Sequence, residues 1–374
     1  MRVVIIGAGP AGLYFAYLLK RARPDAAIAV YEQNPPGATF GFGLAFSQRA
    51  LEFLRGEDVE TWASVQPALE RWNDSVLYLN GAEMRIDGMG YAGIGRLRLL
   101  QILQRQALSV GIEPAYGSVV ASLEQFAEAD LIVGADGINS IVRNSGDFGT
   151  EVDEFTNRFA WYGTSKRFDA LTHTFIRTPA GCFNAHYHPH APDMSTFVVE
   201  MDARTFQSCG FDRMGEEESR VACEAIFSGT LGRARLISNK SIWRRFPRVT
   251  NERWSCGNRV LLGDALHTAH FSIGSGTRLA MEDAIALVHA LEANGFAVAQ
   301  SLAAYEQIRR PIVEKLVTAA NASAEWYENF AGHMQLAPVE FAMSYITRSG
   351  RVDVERLRRT SPEFMAAYER HERS

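Results

Sequence analysis

The chain opens on Val3-Val4-Ile5-Ile6 and runs directly into Gly7-Ala8-Gly9-Pro10-Ala11-Gly12. A short apolar run that ends in this glycine spacing predicts a strand, a tight turn and a helix. Gly7 permits the turn, Gly9 lets a ligand approach the backbone, and Gly12 lets the helix pack close to the strand. A second apolar run, Ala27 to Tyr31, leads into Glu32, twenty positions beyond Gly12. An acid at that distance can accept hydrogen bonds from ribose hydroxyls, so the segment predicts a βαβ unit that holds a dinucleotide. The helix after the turn, expected from about Pro10 to Arg21, aims free N–H groups and the positive end of its dipole at the phosphates.

The rest of the chain is compatible with such a core. It has 374 residues, of which 47% are hydrophobic and 22% charged, with a formal net charge of −5. This is the composition of a globular chain long enough for two or three lobes. A basic excess that would suggest nucleic acid is missing, and no apolar run approaches the roughly 20 residues of a membrane helix. The first strand begins at residue 2, so no secretory leader is expected. Cys182, Cys209, Cys223 and Cys256 are scattered, without a C-x-x-C pair. That pattern fits a reducing, cytoplasmic setting and predicts neither a metal site nor a disulfide framework.

Residues 34–46 are rich in Gly, Pro and Phe and are expected to form a loop over a ligand. Ser47 is expected to cap a short helix to Arg55. Residues 96–110 carry helical periodicity, with strands expected at 112–116 and 130–133. Between 155 and 203 the chain becomes β-rich and aromatic, as in Phe159–Ser165, Thr172–Arg177, Cys182–His188 and Thr196–Met201. The fold class expected is therefore α/β: a Rossmann-like domain with a parallel sheet, an inserted, mostly antiparallel β-sheet domain and C-terminal helices. The first domain is assigned to 1–73, 95–154 and 255–300, the insert to 74–94 and 155–254, and the helical segment to 301–374. The tail after 350 is expected to pack loosely.

Two more glycine turns follow apolar strands. Asp130-Leu131-Ile132-Val133 ends in Gly134-Ala135-Asp136-Gly137, and Arg259-Val260-Leu261-Leu262 ends in Gly263-Asp264-Ala265. Ligands of parallel sheets bind at the strand C-termini, so three such turns on one edge imply a long ligand that touches all three. The last continues through His267, His270, Phe271, Gly274, Ser275 and Gly276 into a helix.

This ordered set of motifs resembles the FAD-dependent aromatic hydroxylases, the p-hydroxybenzoate hydroxylase-like family, over roughly residues 1–320. The resemblance implies that Gly7, Gly9, Gly12 and Glu32 hold the ADP half of FAD. Asp136 and Gly137, with Ser140 and Arg143 behind them, match the motif that supports the pyrophosphate. Asp264 is implied at the ribityl or phosphate region, Gly274, Ser275 and Gly276 at the flavin edge, and Arg96 beside the FAD. Further segments, such as Gly93-Ile94-Gly95-Arg96, Phe246-Pro247-Arg248-Val249 and Ala269-His270-Phe271-Ser272, are similar to a branch of the family that acts on aromatic CoA thioesters and on indole or tryptophan compounds. Most members of the wider family carry Pro where this chain has Phe271.

The implied chemistry starts with reduction of bound FAD by NADH or NADPH. Oxygen then adds at flavin C4a, and the distal oxygen of the hydroperoxide passes to an electron-rich ring. The substrate implied is an aromatic-acid CoA thioester, salicylyl-CoA foremost, hydroxylated at C5 to gentisyl-CoA. A 2-aminobenzoyl-CoA or a tryptophan- or indole-type substrate is the alternative. A flavin dehydrogenase without oxygen insertion and a non-catalytic FAD-binding protein are rivals of other classes. His270, His186 and Tyr162 are the candidate catalytic residues. His267 is expected to make a structural hydrogen bond, and His188 and His190 to lie in a solvated loop. Phe159, Trp161, Tyr162, Phe175, Phe183 and Phe197 are suited to walling a dry pocket. Lys166-Arg167, Arg244-Arg245 and Arg248 are candidates to meet the CoA phosphates. The oligomeric state is open, with a homodimer among the options.

Overall fold

The computed structural model describes residues 1–373. Arg2–Ile6 pairs in parallel with Ala27–Tyr31 on one side and with Leu131–Gly134 on the other. Arg259–Leu261 adds in parallel to Leu131–Gly134, and Ser255–Cys256 closes the edge antiparallel. This is the expected Rossmann-like sheet, with five strands. Ile5, Leu131, Val133, Val260 and Leu261 are fully buried, because the central strands of a parallel sheet are covered on both faces. Helices Pro10–Ala22 and Gly276–Ala293 pack against each other beside the sheet.

The second sheet has seven strands. Its order is Leu236–Ile237, Arg158–Thr164, Met194–Met201, Gly181–Ala191, Leu171–Thr178, Ser75–Leu79 and Ala82–Ile86. All pairs are antiparallel except Leu171–Thr178 with Ser75–Leu79. Side chains alternate between its faces. Tyr162, Phe183, Tyr187 and Phe197 enter one core, where Phe206, Phe211 and Phe227 of the following helical segment meet them. Trp161, His186 and His188 point to the opposite side. There Leu77, Leu79 and Phe175 pack on Trp326, Phe330, Phe341 and Phe364 of the C-terminal helices. Burial of each such large apolar side chain contributes about 1.5–3 kcal/mol.

One helix, Val298–Glu328, joins the two lobes. Its Tyr305 and Val313 belong to the core of the first lobe, and its Trp326 and Tyr327 to that of the second. Among the described residues, no helix is long and apolar enough to cross a membrane.

Several local expectations are corrected. Residues 112–116 do not form a strand; a single bridge joins Ala115 to Tyr31. Pro114, with no N–H, cannot extend a ladder. The expected loop over 34–46 holds as far as Phe42, and its end is instead a strand, Gly43–Ser47, which pairs with Tyr91–Gly95. His188 and His190 are buried on strand Gly181–Ala191 rather than solvated in a loop. The tail is firmly docked: Leu357, Phe364 and Met365 are buried.

Candidate active site

Strands Arg2–Ile6, Leu131–Gly134 and Arg259–Leu261 are neighbours in the sheet, so the turns after them meet along one groove. Gly9 and Ala11 line it from the first turn and Gly137 from the second. From the third come Gly263 and Asp264, and then Gly274, Ser275 and Gly276. Gly7 has φ of +102°, and a Cβ there would lie 2.3 Å from the carbonyl oxygen of Ala135. A Cβ on Gly12 would lie 2.0 Å from the carbonyl oxygen of Gly7. Neither position admits a side chain. The start of helix Pro10–Ala22 has no side-chain cap, and neither has that of Gly276–Ala293. Both therefore present free N–H groups at the groove.

The acids of the motifs divide into two kinds. Glu32 accepts the Ala8 N–H at 2.9 Å and the Asn34 N–H at 2.8 Å, which fixes the first turn. Asp136 accepts the Ser140 hydroxyl and the Ile141 N–H, the latter at 2.7 Å, which fixes the second. Arg143 then donates to the carbonyl of Ala265 at 3.0 Å and so joins the second turn to the third. Asp264 instead opens into the groove. Protein crowds it closely enough to raise its carboxyl pKa, against the pull of His267 and Arg96. Arg96, at the start of helix Arg96–Ser109, lies over the Trp161 ring at 5.5 Å.

Behind the third turn sits a buried knot. Asp283 accepts from Arg309 Nε at 2.8 Å and from the Gly263 N–H at 3.2 Å, and its carboxylate lies 2.8 Å from His267 Nε2. Burial alone would raise the Asp283 carboxyl, but His267 and Arg309 hold it below the ordinary carboxylate value. His267 thus has the structural role expected of it.

Beyond the groove the same cavity runs along the insert sheet. His186 stacks on Phe271 with centroids 5.5 Å apart and makes no hydrogen bond among the described residues. Burial, reinforced by the charge of Arg348, pulls its pKa down to about 3. His188 stacks on Trp72 at 5.8 Å, and both of its ring nitrogens are buried without a partner. Its pKa is held well below the usual value by burial and by His186 and His190. Both imidazoles line the cavity and are neutral at pH 7. His173, cross-strand from His186, bonds Tyr327 Oη at 3.2 Å and Tyr345 Oη at 2.6 Å.

The C-terminal segment closes this end. Arg348, just after helix Pro338–Thr347, donates to Ser323 Oγ at 2.9 Å and to the carbonyls of Tyr345 at 2.6 Å and Ser272 at 2.9 Å. Its guanidinium lies 3.9 Å from the centre of the Tyr345 ring and forms no ion pair with a carboxylate among the described residues. Burial disfavours its charge, but the phenols of Tyr345, Tyr327 and Tyr91 hold its pKa up. Arg351 and Arg356 continue the lining outward.

The FAD binding domain family matches residues 111–320, and an NAD(P)-binding Rossmann-like domain matches residues 5–50. A salicyloyl-CoA 5-hydroxylase of a Streptomyces species is 38% identical over 361 residues, which cover 93% of this chain and 70% of that one. The chain belongs to the FAD-dependent aromatic monooxygenases. A 5-monooxygenase of 3-hydroxy-4-methyl-anthranilyl-(aryl-carrier protein) from Streptosporangium sibiricum is 36% identical over 329 residues, 87% of this chain and 89% of that one. Protodeoxyviolaceinate monooxygenase of Chromobacterium violaceum is 33% identical over 358 residues, 93% and 94% of the two chains. Among solved structures, the tetrameric form of 2-methyl-3-hydroxypyridine-5-carboxylic acid oxygenase shares the fold, with a TM-score of 0.73 at 19% identity over 93% of this chain and 95% of that one.

An FAD-dependent monooxygenase of this family uses FAD and NAD(P)H, and the groove fits the flavin cofactor. A Cβ built on Gly9 meets nothing within 4 Å, so the backbone there is open to a ligand. Two uncapped helix starts suit its phosphates. Asp264 offers an acceptor, and Glu32, which already accepts three hydrogen bonds from its own chain, keeps about one more acceptor site.

Some sequence expectations for this monooxygenase change. Tyr162 faces the insert core beside Cys223, since strand alternation sends Trp161 and not Tyr162 to the cavity. Phe175, Phe183 and Phe197 are likewise core residues. His270 does not line the cavity. Its ring lies 4.2 Å from that of Phe271, centre to centre, and its Nδ1 bonds Ser272 Oγ at 2.9 Å. His186 does line it. Four of the basic candidates are spent elsewhere, Lys166 on the carbonyl of Thr230, Arg167 on Glu70, Arg245 on Glu154 and Arg248 on Asp153, and Arg244 is exposed and does not line the cavity. The residues overlooked were His188, His173, Arg348, Arg351 and Arg356. The alternation of His186, His188 and His190 on one strand was the available signal for the first of these.

Proposed function

We propose that this monooxygenase hydroxylates the ring of an aromatic acid carried as a CoA thioester, with salicylyl-CoA converted at C5 to gentisyl-CoA. The observation that carries it is the pair of neutral imidazoles that face a slot beside Phe271: His188, whose two ring nitrogens are buried without a partner among the described residues, and His186, which stacks on Phe271. Such a slot suits a flat ring bearing a hydroxyl. The similarity to a salicyloyl-CoA 5-hydroxylase across 93% of the chain supports the choice of substrate.

When bound, FAD supplies the redox chemistry: it takes electrons from NAD(P)H and delivers one atom of O2 to the ring, the other leaving as water. The protein's own share is orientation and field. His188 and His186 accept or donate hydrogen bonds at the substrate hydroxyl. With pKa values this low they are poor bases and stay neutral. Arg348, a half-buried cation with no carboxylate partner among the described residues, favours negative charge on that hydroxyl oxygen and so enriches the para carbon, C5. Phe271, Trp161 and Phe246 keep water from the ring.

The test is NADH and NADPH oxidation with product analysis against salicylyl-CoA, 2-aminobenzoyl-CoA, free salicylate, anthranilate and tryptophan. Gentisyl-CoA formed in step with NAD(P)H consumption is expected. Equal or better turnover of free salicylate, anthranilate or tryptophan would reject the thioester.

A further inference from the structure

Within the nine positions from Arg348 to Arg356, three arginines line the active-site cavity. About half of the arginines elsewhere are paired with acids, as Arg309 is with Asp283 and Arg278 with Glu282. Arg351 and Arg356 form no ion pair among the described residues, although nearby Arg358 and Arg359 do. Arg356 Nη1 donates to the carbonyl of Arg351 at 3.2 Å, which folds the two onto one turn. Partial desolvation against the cavity wall, and then the positive charges of Arg278 and Arg356, lower the Arg351 pKa, so cations crowd here. In a chain of net charge −5 this local excess has no counterpart along the rest of the cavity.

The polar groups of the cavity also have an order. His186 and His188 are deeply buried at the inner end, Arg356 is half-buried and Arg351 is exposed. Met89 and Val352 line the cavity as well and add apolar wall. A ligand of matching form has a ring at one end, an uncharged arm, and phosphate at the other. Guanidinium groups suit phosphate because their planar forks donate paired hydrogen bonds to its oxygens.

We propose that Arg351 and Arg356 seat the phosphate of the substrate's phosphopantetheine-type tail while the ring reaches the imidazoles. This rests on the thioester reading above. Phosphopantetheine occurs both in free coenzyme A and on carrier proteins, and the two sources are separated below.

The experiment is calorimetric titration of the FAD-loaded enzyme with coenzyme A, 4′-phosphopantetheine, pantetheine and NADP+. Wild type, Arg351→Glu and the double variant Arg351→Ala/Arg356→Ala are compared, with FAD absorbance and melting temperature as controls on folding. Coenzyme A is expected to bind wild type at least about tenfold more tightly than pantetheine does, and both variants are expected to lose that advantage. Tighter binding of coenzyme A than of 4′-phosphopantetheine supports the free thioester; equal binding supports the carrier-protein arm. Absence of coenzyme A binding to wild type, or equal binding by folded variants, overturns the proposal. So does a loss confined to NADP+. If coenzyme A binds through these arginines but salicylyl-CoA is not hydroxylated, the thioester reading fails and the phosphate seat stands.

Discussion

Arg348 Nη2 donates to the carbonyl of Ser272 at 2.9 Å and thereby ties the C-terminal segment to the loop between the third glycine turn and helix Gly276–Ala293. The contact spans 76 residues of sequence. Through it a cation from the last fifth of the chain becomes part of the cavity wall beside Phe271 and His186.

Replacing Arg348 by Met is therefore expected to leave FAD bound but to lower product formed per NAD(P)H consumed. Removal of one preorganised charged donor costs on the order of a hundredfold in turnover. The check is the yield of hydroxylated product against hydrogen peroxide release in the same assay. Arg348→Lys keeps the charge but not the three hydrogen bonds, so it should recover part of the rate and not the coupling. Full coupling in the Met variant would remove Arg348 from the site.

His188 makes the opposite prediction for stability and for function. Its two ring nitrogens are buried without partners, and an unsatisfied buried polar group costs about 1–3 kcal/mol. His188→Phe keeps the stack on Trp72 and removes that cost. Its melting temperature should equal or exceed that of wild type while kcat/KM for the aromatic substrate falls about tenfold. A variant that is less stable and equally active would show that the ring serves the fold.

The buried imidazoles also set an acid limit. His186 and His270 have pKa values pulled down to about 3, and His190 to about 4, by burial. The unfolded chain takes up these protons near pH 6.5 and the folded chain does not. Stability is therefore complete above that value and is lost as pH falls through it, by up to about 1.4 kcal/mol per pH unit for each imidazole. Urea unfolding at pH 7.5, 6.5 and 5.5 measures the slope. His186→Gln, which cannot titrate, should flatten it by about one proton's worth; an unchanged slope would mean that His186 is protonated in the folded protein.

The Asp283 knot makes a separate prediction. Asp283→Ala leaves Arg309 and His267 buried without their shared carboxylate. Breaking such a cluster costs about 3–5 kcal/mol. Because Asp283 holds together the turn that carries Asp264, FAD retention through gel filtration should fall with the melting temperature. A variant of unchanged stability would mean that Glu282 alone satisfies Arg309.

The three glycine turns were legible in the sequence because backbone geometry dictates them. At Gly7 only a residue without Cβ tolerates both the positive φ and the approach of Ala135, and at Gly12 only such a residue tolerates the carbonyl of Gly7. Local sequence also determined the parallel sheet, the helix after each motif and the β-rich character of 155–203. Which side of a strand meets the ligand depended on what packs on each face. Tyr162 and Trp161 are adjacent and both aromatic, and only the helices over one face decided that Tyr162 is core and Trp161 is wall. His270 was withdrawn behind Phe271 by ring packing with Phe155 and Phe246. The tail after 350 was expected to pack loosely because the apolar surface it docks on lies far away in sequence. The docking of Phe341, Leu357 and Phe364 on the insert sheet turned that tail into the rim of the cavity. Sequence alone determined the groove, since its rules are local steric ones. Tertiary structure alone decided the substrate end, since burial and charge there come from segments that meet only in the folded chain.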